Sequence, residues 1–308
     1  MILLISTEND TMTDEISAWL SYKNKEFVRL NENQHITKVF FDLSNNIFTI
    51  SVNNKEYDLN DFKSIFYRNG GIHYNSPKIE IDNNLLEFYN SELKSVTGFI
   101  YHYFRICKAN VFGNLITKEV NKLHVLFLAK SIGLKIPDTY ILSHTKDLSR
   151  INLHQFYITK SISEMKPIII DNQLYLNYTR EINMNNILQK KENIVPSLIQ
   201  CKVNTIYEIR AFFFENKIWA IATFDFTDNI DIRNIKEANK KYIPCKLPVE
   251  IQRKIFKIAN KLDLRCGTID LLKSNNDLYF LEINPLGQFH QVSYYGNYQI
   301  DKYIAELL

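Results

Sequence analysis

Two carboxylates and an amide interrupt an apolar stretch near the end of the sequence, at Asp270, Glu282 and Asn284. Residues 267–273 and 278–283 predict two strands, because both are rich in β-branched and apolar side chains and they flank a Ser-Asn-Asn-Asp turn. Side chains alternate along a strand, so Glu282 and Asn284 face the same side of this hairpin. A loop with an odd number of residues would place Asp270 directly opposite Glu282.

Directly opposed carboxylates repel each other in a sheet unless a cation lies between them. Oxygen ligands without histidine or cysteine select Mg²⁺ or Mn²⁺, and Mg²⁺ commonly combines one or two carboxylates with the phosphates of a nucleotide. Pro285 and Gly287 end the second strand directly after the acids, and strand ends are places where sites form. On the residues alone an alternative stays open, in which Asp270 lies at a strand end and Glu282 faces water.

Five further charged residues stand beside predicted strands and helices. Glu208 and Arg210 share one face of a second predicted hairpin, where a charge within an apolar strand is costly unless it is used or paired. A plain salt bridge is the structural alternative. Lys160 ends a short strand, where a lysine either holds a phosphate as a point charge or faces water. Arg68 follows a strand and Lys122 lies near the start of a helix, and the pattern alone predicts that both are exposed.

The composition indicates an ordinary folded protein. The chain has 308 residues, of which 45% are hydrophobic and 23% charged, and this apolar content is enough for two or three domains. The net charge of +3 and the mixing of both signs give no reason to expect nucleic acid or a membrane as a partner. The four cysteines lie far apart, which fits the reducing cytoplasm and neither a zinc site nor a disulfide framework. The apolar N-terminus is too short for a signal peptide.

The elements that must position the charged residues alternate between strands and helices and predict a mixed α/β (α+β) protein. Residues 1–110 begin with a β-α-β pattern and predict a small α/β domain. Residues 111–196 open with a helix that ends at Gly133 and continue with short strands. Residues 197–308 contain both hairpins and an amphipathic helix that leads into the hairpin with the carboxylates.

Several motifs in combination resemble those of the ATP-grasp ligases. Within these ligases the sequence looks like the maturases of graspetides, the microviridin-type or "grasp-with-spasm" peptides. The motifs are G-T-I-D-L-L and E-I-N-P around the carboxylates, N-K-L before the helix at Lys122, T-K at Lys160, Q-x-x-V from Gln200 and E-I-R at Arg210. Three positions depart from the common pattern. The stretch 161–167 contains no glycine, Cys201 stands where an acid is usual, and Thr205 stands where a lysine is common.

The resemblance implies an ATP-grasp fold of three domains. Residues 1–110 would be the N-terminal pre-ATP-grasp domain, 111–196 the central subdomain and 197–308 the C-terminal subdomain with the metal site. ATP with Mg²⁺, or Mn²⁺, is implied as the nucleotide and metal. By position the resemblance assigns the metal to Asp270, Glu282 and Asn284, the nucleotide to Lys122, Lys160, Gln200, Cys201, Val203 and Glu208, catalysis to Arg210 and Arg233, and a weaker substrate contact to Arg68.

The implied activity is ATP-dependent macrocyclisation of a ribosomally made precursor peptide, which consists of a leader and a core. A core Asp or Glu carboxylate would be activated as an acyl phosphate and joined to a Thr or Ser hydroxyl or a Lys amine. A homodimer in the cytoplasm is the implied setting. Two alternatives stay open: a ligase that adds free amino acids to a peptide or small acceptor, and a nucleotide- or peptide-binding protein without turnover.

Overall fold

The computed structural model of the protein describes residues 1–75, 82–107, 110–117, 119–152, 154–163, 168–170, 173–175, 178–184, 193–225 and 240–308. The first part contains β1 (Ile2–Ser6), α1 (Thr11–Tyr22), β2 (Phe27–Asn31), β3 (Ile36–Asp42), β4 (Ile47–Val52), β5 (Lys55–Asp58), β6 (Ser64–Tyr67), α2 (Asn83–Cys107) and β7 (Asn110–Phe112). The middle part contains α3 (Lys122–Ser131), β8 (Thr139–His144), β9 (Tyr157–Thr159), β10 (Ile168–Ile170), β11 (Gln173–Tyr175), β12 (Arg180–Ile182) and β13 (Asn193–Cys201). The last part contains β14 (Tyr207–Phe214), β15 (Lys217–Asp225), β16 (Lys240–Cys245), α4 (Val249–Lys261), β17 (Cys266–Lys273), β18 (Leu278–Asn284), α5 (His290–Gly296) and α6 (Ile300–Leu307).

The first part is built on a parallel sheet with the strand order β2-β1-β6-β7. All five residues of β1 are buried, which is the burial expected of a central strand in a parallel sheet that is covered on both faces. The helix α1 begins after Asp10, whose Oδ1 accepts hydrogen bonds from the backbone N–H groups of Met12 and Thr13. A separate antiparallel sheet, β3-β4-β5, packs its buried residues into the same core as the C-terminal half of α2.

The middle part contains an antiparallel sheet with the order β12-β9-β13-β8. The helix α3 precedes it and begins after Asn121, whose side-chain oxygen accepts from the backbone N–H groups of Leu123 and His124. The helix ends before Gly133, which has a φ of +86° that glycine adopts without strain.

The last part is a five-stranded antiparallel sheet with the order β16-β15-β14-β17-β18. One face is apolar and packs against α3 and α4, with Ile209, Phe213 and Ile269 in that core. The opposite face changes character along its strands. Near one end Phe212 and Phe214 pack against residues of the first part and of α5 and α6, and the other end carries charged side chains. This second face therefore joins the parts of the chain at one end and leaves the other end available for a site.

The expected domain limits fall inside strands. β7 pairs with β6 and extends the first sheet to Phe112, beyond the expected limit at 110. β13 pairs with β8 and β9 and runs through the expected limit at 196. The mixed α/β architecture is as the sequence predicts. Among the described residues no helix combines the length and the apolar character needed to cross a membrane.

Candidate functional site

The hairpin β17–β18 places the two carboxylates directly opposite each other, and its turn is the predicted cluster at residues 274–277. Lys273 pairs with Leu278, so the turn has four residues, and not the odd number that would by itself place Asp270 opposite Glu282. Asp270 nevertheless pairs with Glu282, because the register shifts by one residue between Leu271 and Asp270. The extra residue lies on β18 and forms a β-bulge, and bulges of this kind re-aim side chains beside functional sites.

The carboxylate pair belongs to a row of charged residues that crosses three strands. Arg210 on β14 pairs in register with Asp270, which pairs in turn with Glu282. The Arg210 Nη1 lies 3.2 and 3.3 Å from the two carboxylate oxygens of Asp270. All three side chains are between a quarter and a third exposed, so the row is open to a ligand and yet partly shielded from water.

Two lysines from the middle part of the chain complete this group. Lys122 is the first residue of α3, and its Nζ lies 3.6 Å from the Glu282 Oε2. Lys160 follows β9, and its Nζ lies 3.9 Å from the same oxygen. Both distances exceed those of hydrogen bonds, about 2.7–3.2 Å. The lysine side chains are only 25% and 17% exposed, so the expectation that Lys122 is an ordinary solvated residue does not hold.

The oxygen atoms at this position fit a hard divalent cation. Asn284 lies two residues beyond Glu282, and its Oδ1 accepts a hydrogen bond of 3.0 Å from the backbone N–H of Leu286, which leaves a second lone pair on that oxygen. Thr268 pairs with Asn284 across the hairpin and is buried, and its hydroxyl has no hydrogen-bond partner among the described residues. Among the described residues no group of three or more His, Cys, Asp or Glu side chains has a metal-binding arrangement. Two carboxylates with an amide are a set that suits Mg²⁺ when phosphates supply the other ligands.

A cleft of about 680 Å³ opens beside the two lysines. It is lined by residues 119–122, 159–163 and 196–198, which belong to the start of α3, the end of β9 and the strand β13. Its volume falls within the range of roughly 300–1,000 Å³ that is usual for sites of small molecules. Because Lys122 and Lys160 line the cleft and also approach Glu282, they connect it to the carboxylate row.

The end of β13 and the residues that follow it are held by hydrogen bonds within the protein. Gln200 is buried and its Nε2 donates to the Thr139 Oγ1 at 2.8 Å, so its side chain is used in the packing of two strands. The backbone N–H of Cys201 donates to the Asp138 carbonyl at 2.8 Å. Burial, and to a smaller extent the charge of Asp138, raises the pKa of the Cys201 thiol, which is therefore protonated at neutral pH. The carbonyl of Val203 accepts from the hydroxyl of Thr205 at 3.2 Å.

The remaining predicted residues have different positions. Glu208 lies two residues before Arg210 on β14 and therefore on the same face of the sheet. Arg233 lies outside the described residues. The pattern predicted that Arg68 is exposed at a turn, and this is wrong. Its side chain is only 4% exposed and lies beside Asp10. Its guanidinium donates to the Leu286 carbonyl, so its described contacts are internal rather than open to a substrate.

Asn114 holds the base of the carboxylate hairpin, although no motif in the sequence marks it as a functional residue. Its Nδ2 donates to the carbonyl groups of Cys266 and Pro285, and its Oδ1 accepts from the backbone N–H groups of Arg265 and Cys266. The residue is buried and lies more than 150 positions before its partners in the chain. The only local signal is the preceding Gly113, whose φ of +84° brings it against the Tyr67 carbonyl.

Replacing Asn114 with alanine is expected to lower the free energy of unfolding by about 3 kcal/mol. Buried carbonyl and N–H groups at the start of β17 and just after β18 would lose their partners. Chemical denaturation measures this change. Asn121→Ala is the matched control, since it removes a helix cap at an exposed position and should cost only about 1 kcal/mol. Equal losses for the two variants would contradict the anchoring role of Asn114.

Comparison with known proteins gives a match at the level of structure. No family model matches the chain, and no curated protein matches its sequence. The macrocyclase MdnC from Microcystis aeruginosa MRC, solved with the precursor peptide MdnA, superposes with a TM-score of 0.77 at 20% identity, over 100% of this chain and 99% of MdnC. A RiPP-associated ATP-grasp ligase from Chryseobacterium gregarium, solved with ADP and a leader and core peptide, gives 0.76 at 21% identity, over 100% and 96%.

A third structure extends the comparison to a bound metal. The ATP-grasp ligase PsnB, complexed with a variant of its minimal precursor, Mg and ADP, superposes with a TM-score of 0.74 at 12% identity, over 99% of this chain and 96% of PsnB. At these identities the superpositions establish the fold. The protein therefore has the ATP-grasp fold over its full length, in the form adopted by these macrocyclase and peptide-binding ligase structures.

Proposed function

We propose that the protein is an ATP-dependent ligase that closes side-chain rings in a ribosomally made precursor peptide. The observation that carries this proposal is the row of Arg210, Asp270 and Glu282, with Lys122 and Lys160 converging on Glu282 beside a cleft of nucleotide size. Lys122, Lys160 and Arg210 bring three cationic side chains to this group, and cationic side chains favour the phosphates of a nucleotide. The likeness to ligases solved with precursor peptides supports a peptide as the second substrate.

Asp270, Glu282 and Asn284 would hold Mg²⁺, or Mn²⁺ in its place. The ion, when bound, neutralises charge that develops on the phosphates during transfer. Lys122 and Lys160 would contact the phosphates of ATP, since both lysines line the cleft and both approach Glu282. We assign the adenine and ribose of ATP to the segment of Gln200, Cys201 and Val203, through its backbone, and to Glu208.

Arg210 would stabilise charge on the transferring phosphoryl group. Arg233 would assist it, as the resemblance to the graspetide maturases implies. The guanidinium of Arg210 is held by Asp270 on one side, and within the described part of the chain its buried Nε has no hydrogen-bond partner. A donor that is fixed before the reaction and aimed at developing charge lowers the barrier without reorganisation. The protein thus contributes a set of positioned charges rather than a covalent nucleophile.

The proposed reaction has two steps. A carboxylate oxygen of a core Asp or Glu attacks the γ-phosphorus of ATP, and the bond from that phosphorus to the bridging oxygen breaks to release ADP. A Thr or Ser hydroxyl, or a Lys amine, then attacks the acyl carbon of the resulting acyl phosphate and loses its proton, and inorganic phosphate leaves. Each ring consumes one ATP, and the peptide loses the elements of one water.

Intact-mass measurement tests this function. The purified protein is incubated with the peptide encoded by each short open reading frame that adjoins its gene, with and without ATP and Mg²⁺, and every peptide is weighed. We expect one peptide to lose the mass of one or more waters, only when ATP and Mg²⁺ are present. A gain of amino-acid residues would instead identify a ligase that adds free amino acids, and unchanged peptides with no consumption of ATP would identify a binding protein.

We propose further that the protein is a cytoplasmic homodimer that binds both leader and core, and that α2 contributes to the dimer contact. The first half of α2 is exposed, with Leu85 and Phe88 at 54% and 62% exposure, whereas only its second half enters the core, at Ile100, Tyr103 and Phe104. An exposed apolar helix face of this kind commonly marks a protein interface.

Replacing both Leu85 and Phe88 with glutamate is expected to convert a dimer into a monomer, because four charges would then face each other across the contact. Light scattering coupled to gel filtration measures the mass. Phe127→Glu is the matched control, since Phe127 is 74% exposed on a different helix. A dimer that persists in the double variant would exclude this face of α2 as the contact.

A further inference from the structure

We infer that Arg68 is a positioning residue for the metal site, which acts through Leu286 on Asn284, and not a contact for the peptide substrate. This inference rests on the proposed function, in which Asn284 is a magnesium ligand. Its basis is a continuous series of contacts that begins at the start of α1 and ends at the side-chain oxygen of Asn284.

The guanidinium of Arg68 is buried, and its described contacts are all with other protein atoms. Its side chain is 4% exposed, and its Nε lies 3.4 Å from the Asp10 Oδ2, on a side chain that is 3% exposed. The Nη1 donates to the Leu286 carbonyl, and the Nη2 lies 3.5 Å from the Met12 sulfur. A charge at this depth requires a partner, because burying an unpaired guanidinium is strongly unfavourable. The arginine therefore fixes Asp10 and Leu286 relative to each other.

The contact with Leu286 reaches the metal site through the turn that follows β18. The backbone N–H of Leu286 donates to the Asn284 Oδ1 at 3.0 Å, and the N–H of Gly287 donates to the Asn284 carbonyl at 3.2 Å. Arg68 holds the carbonyl of the same Leu286 whose N–H orients the amide of Asn284. Groups that orient a metal ligand in this way typically change metal affinity by about 10–100-fold when they are removed.

The other end of this series is rigid. Asp10 caps α1 through its Oδ1, while its Oδ2 accepts from the buried Ser6 hydroxyl. Ser6 is the last residue of β1, and Arg68 directly follows the adjacent parallel strand β6. These two strands flank the switch point of the sheet, the position where α/β sheets commonly bind ligands. Here Arg68 and Asp10 form a buried pair beside these strand ends. Through Arg68 the pair contacts Leu286 in the last part of the chain.

The test measures binding of ADP rather than turnover. A fluorescent ADP analogue is titrated into the full-length protein at increasing Mg²⁺ concentrations, and again in EDTA. In Arg68→Lys, the ammonium can still pair with Asp10, but it cannot also reach Leu286 with the planar fork of arginine. In the double variant Asp10→Asn with Arg68→Met, both buried charges are removed and asparagine still caps α1. We expect both variants to need about tenfold more Mg²⁺ for half-maximal binding, with unchanged affinity in EDTA.

Lys25→Met is the matched control for loss of a contact between distant parts of the chain. The Lys25 Nζ donates to the Ala305 carbonyl at 3.0 Å and to the Glu306 carbonyl at 3.2 Å, in α6 and away from the carboxylate row. It should keep the Mg²⁺ dependence of the wild-type protein. Thermal unfolding of every variant separates loss of stability from loss of metal affinity.

The outcomes distinguish this inference from the proposed function. If wild-type protein binds the ADP analogue equally well with Mg²⁺ and with EDTA, the magnesium site itself is refuted. If the wild-type protein depends on Mg²⁺ and both Arg68 variants show the same dependence, the positioning role is refuted. If either Arg68→Lys or the double variant fails to fold at the assay temperature, the other variant carries the test. The two differ in their effect on folding, because lysine retains the buried charge and the double variant removes both charges.

Discussion

Replacing Glu282 with glutamine is expected to reduce ring formation by more than about 100-fold, beyond the loss typical of residues that only orient a metal ligand. Glutamine keeps the size of the side chain but removes the charge that faces Asp270 and the two lysines. The metal would lose a ligand, and Lys122 and Lys160 would lose their shared anion. The protein should remain folded, because Glu282 is about one-third exposed and glutamine has nearly the same shape.

The rate of peptide dehydration, followed by intact mass, measures this effect. Asp277→Asn in the same hairpin is the control, because Asp277 pairs with Lys135 at the exposed turn. A surface ion pair of this type contributes at most about 1 kcal/mol to stability, and its loss should leave the rate unchanged. If Glu282→Gln retained the wild-type rate, Glu282 would not be a metal ligand.

Replacing Arg210 with lysine is expected to lower the rate of ring formation by about 10²–10³-fold, the usual cost of removing a donor aimed at developing charge. Lysine can still pair with Asp270, so the charge balance of the row is kept. It lacks the fork of arginine, which binds a carboxylate and a phosphoryl oxygen at the same time. The loss should therefore occur in the catalytic step, while binding of ADP with Mg²⁺ changes little.

Single-turnover measurements with saturating ATP and peptide separate the catalytic step from binding. Arg253→Lys serves as the control, because Arg253 is exposed on α4, which packs on the opposite, apolar face of the sheet. A variant at Arg210 that binds ADP poorly but turns over normally once saturated would assign this arginine to nucleotide binding instead.

The sequence predicted the carboxylate hairpin because its signals are local. Alternating apolar residues, a turn cluster and a terminating proline all lie within some twenty positions, and they predict both strands and the shared face of Glu282 and Asn284. The sequence makes the pairing of Asp270 with Glu282 conditional on an odd loop, and the turn has four residues. Whether Asp270 meets Glu282 depends on the bulge in β18 rather than on the turn. With the bulge, Phe280 and Ile283, which are three positions apart, both lie in one core, and regular alternation along a strand does not predict this.

The contacts that stabilise the site could not be predicted, because they join distant parts of the chain. Arg68 reaches Leu286 across 218 positions, and Asn114 reaches Pro285 across 171. A buried arginine beside a buried aspartate has the same local pattern as an exposed arginine at a turn. The position of Lys122 could not be predicted for the same reason. Its place at the start of a helix indicates exposure, and only the approach of β18 to α3 brings its side chain to Glu282.

The decisive experiment on the proposed magnesium site is a crystal structure of the protein with ADP and Mn²⁺, with anomalous scattering used to locate the manganese. We expect one anomalous peak within coordination distance of the oxygens of Asp270, Glu282 and Asn284, in contact with the phosphates of ADP, whose chain passes Lys122 and Lys160. A nucleotide bound elsewhere, or a metal peak that does not touch both carboxylates, would contradict this assignment of the site.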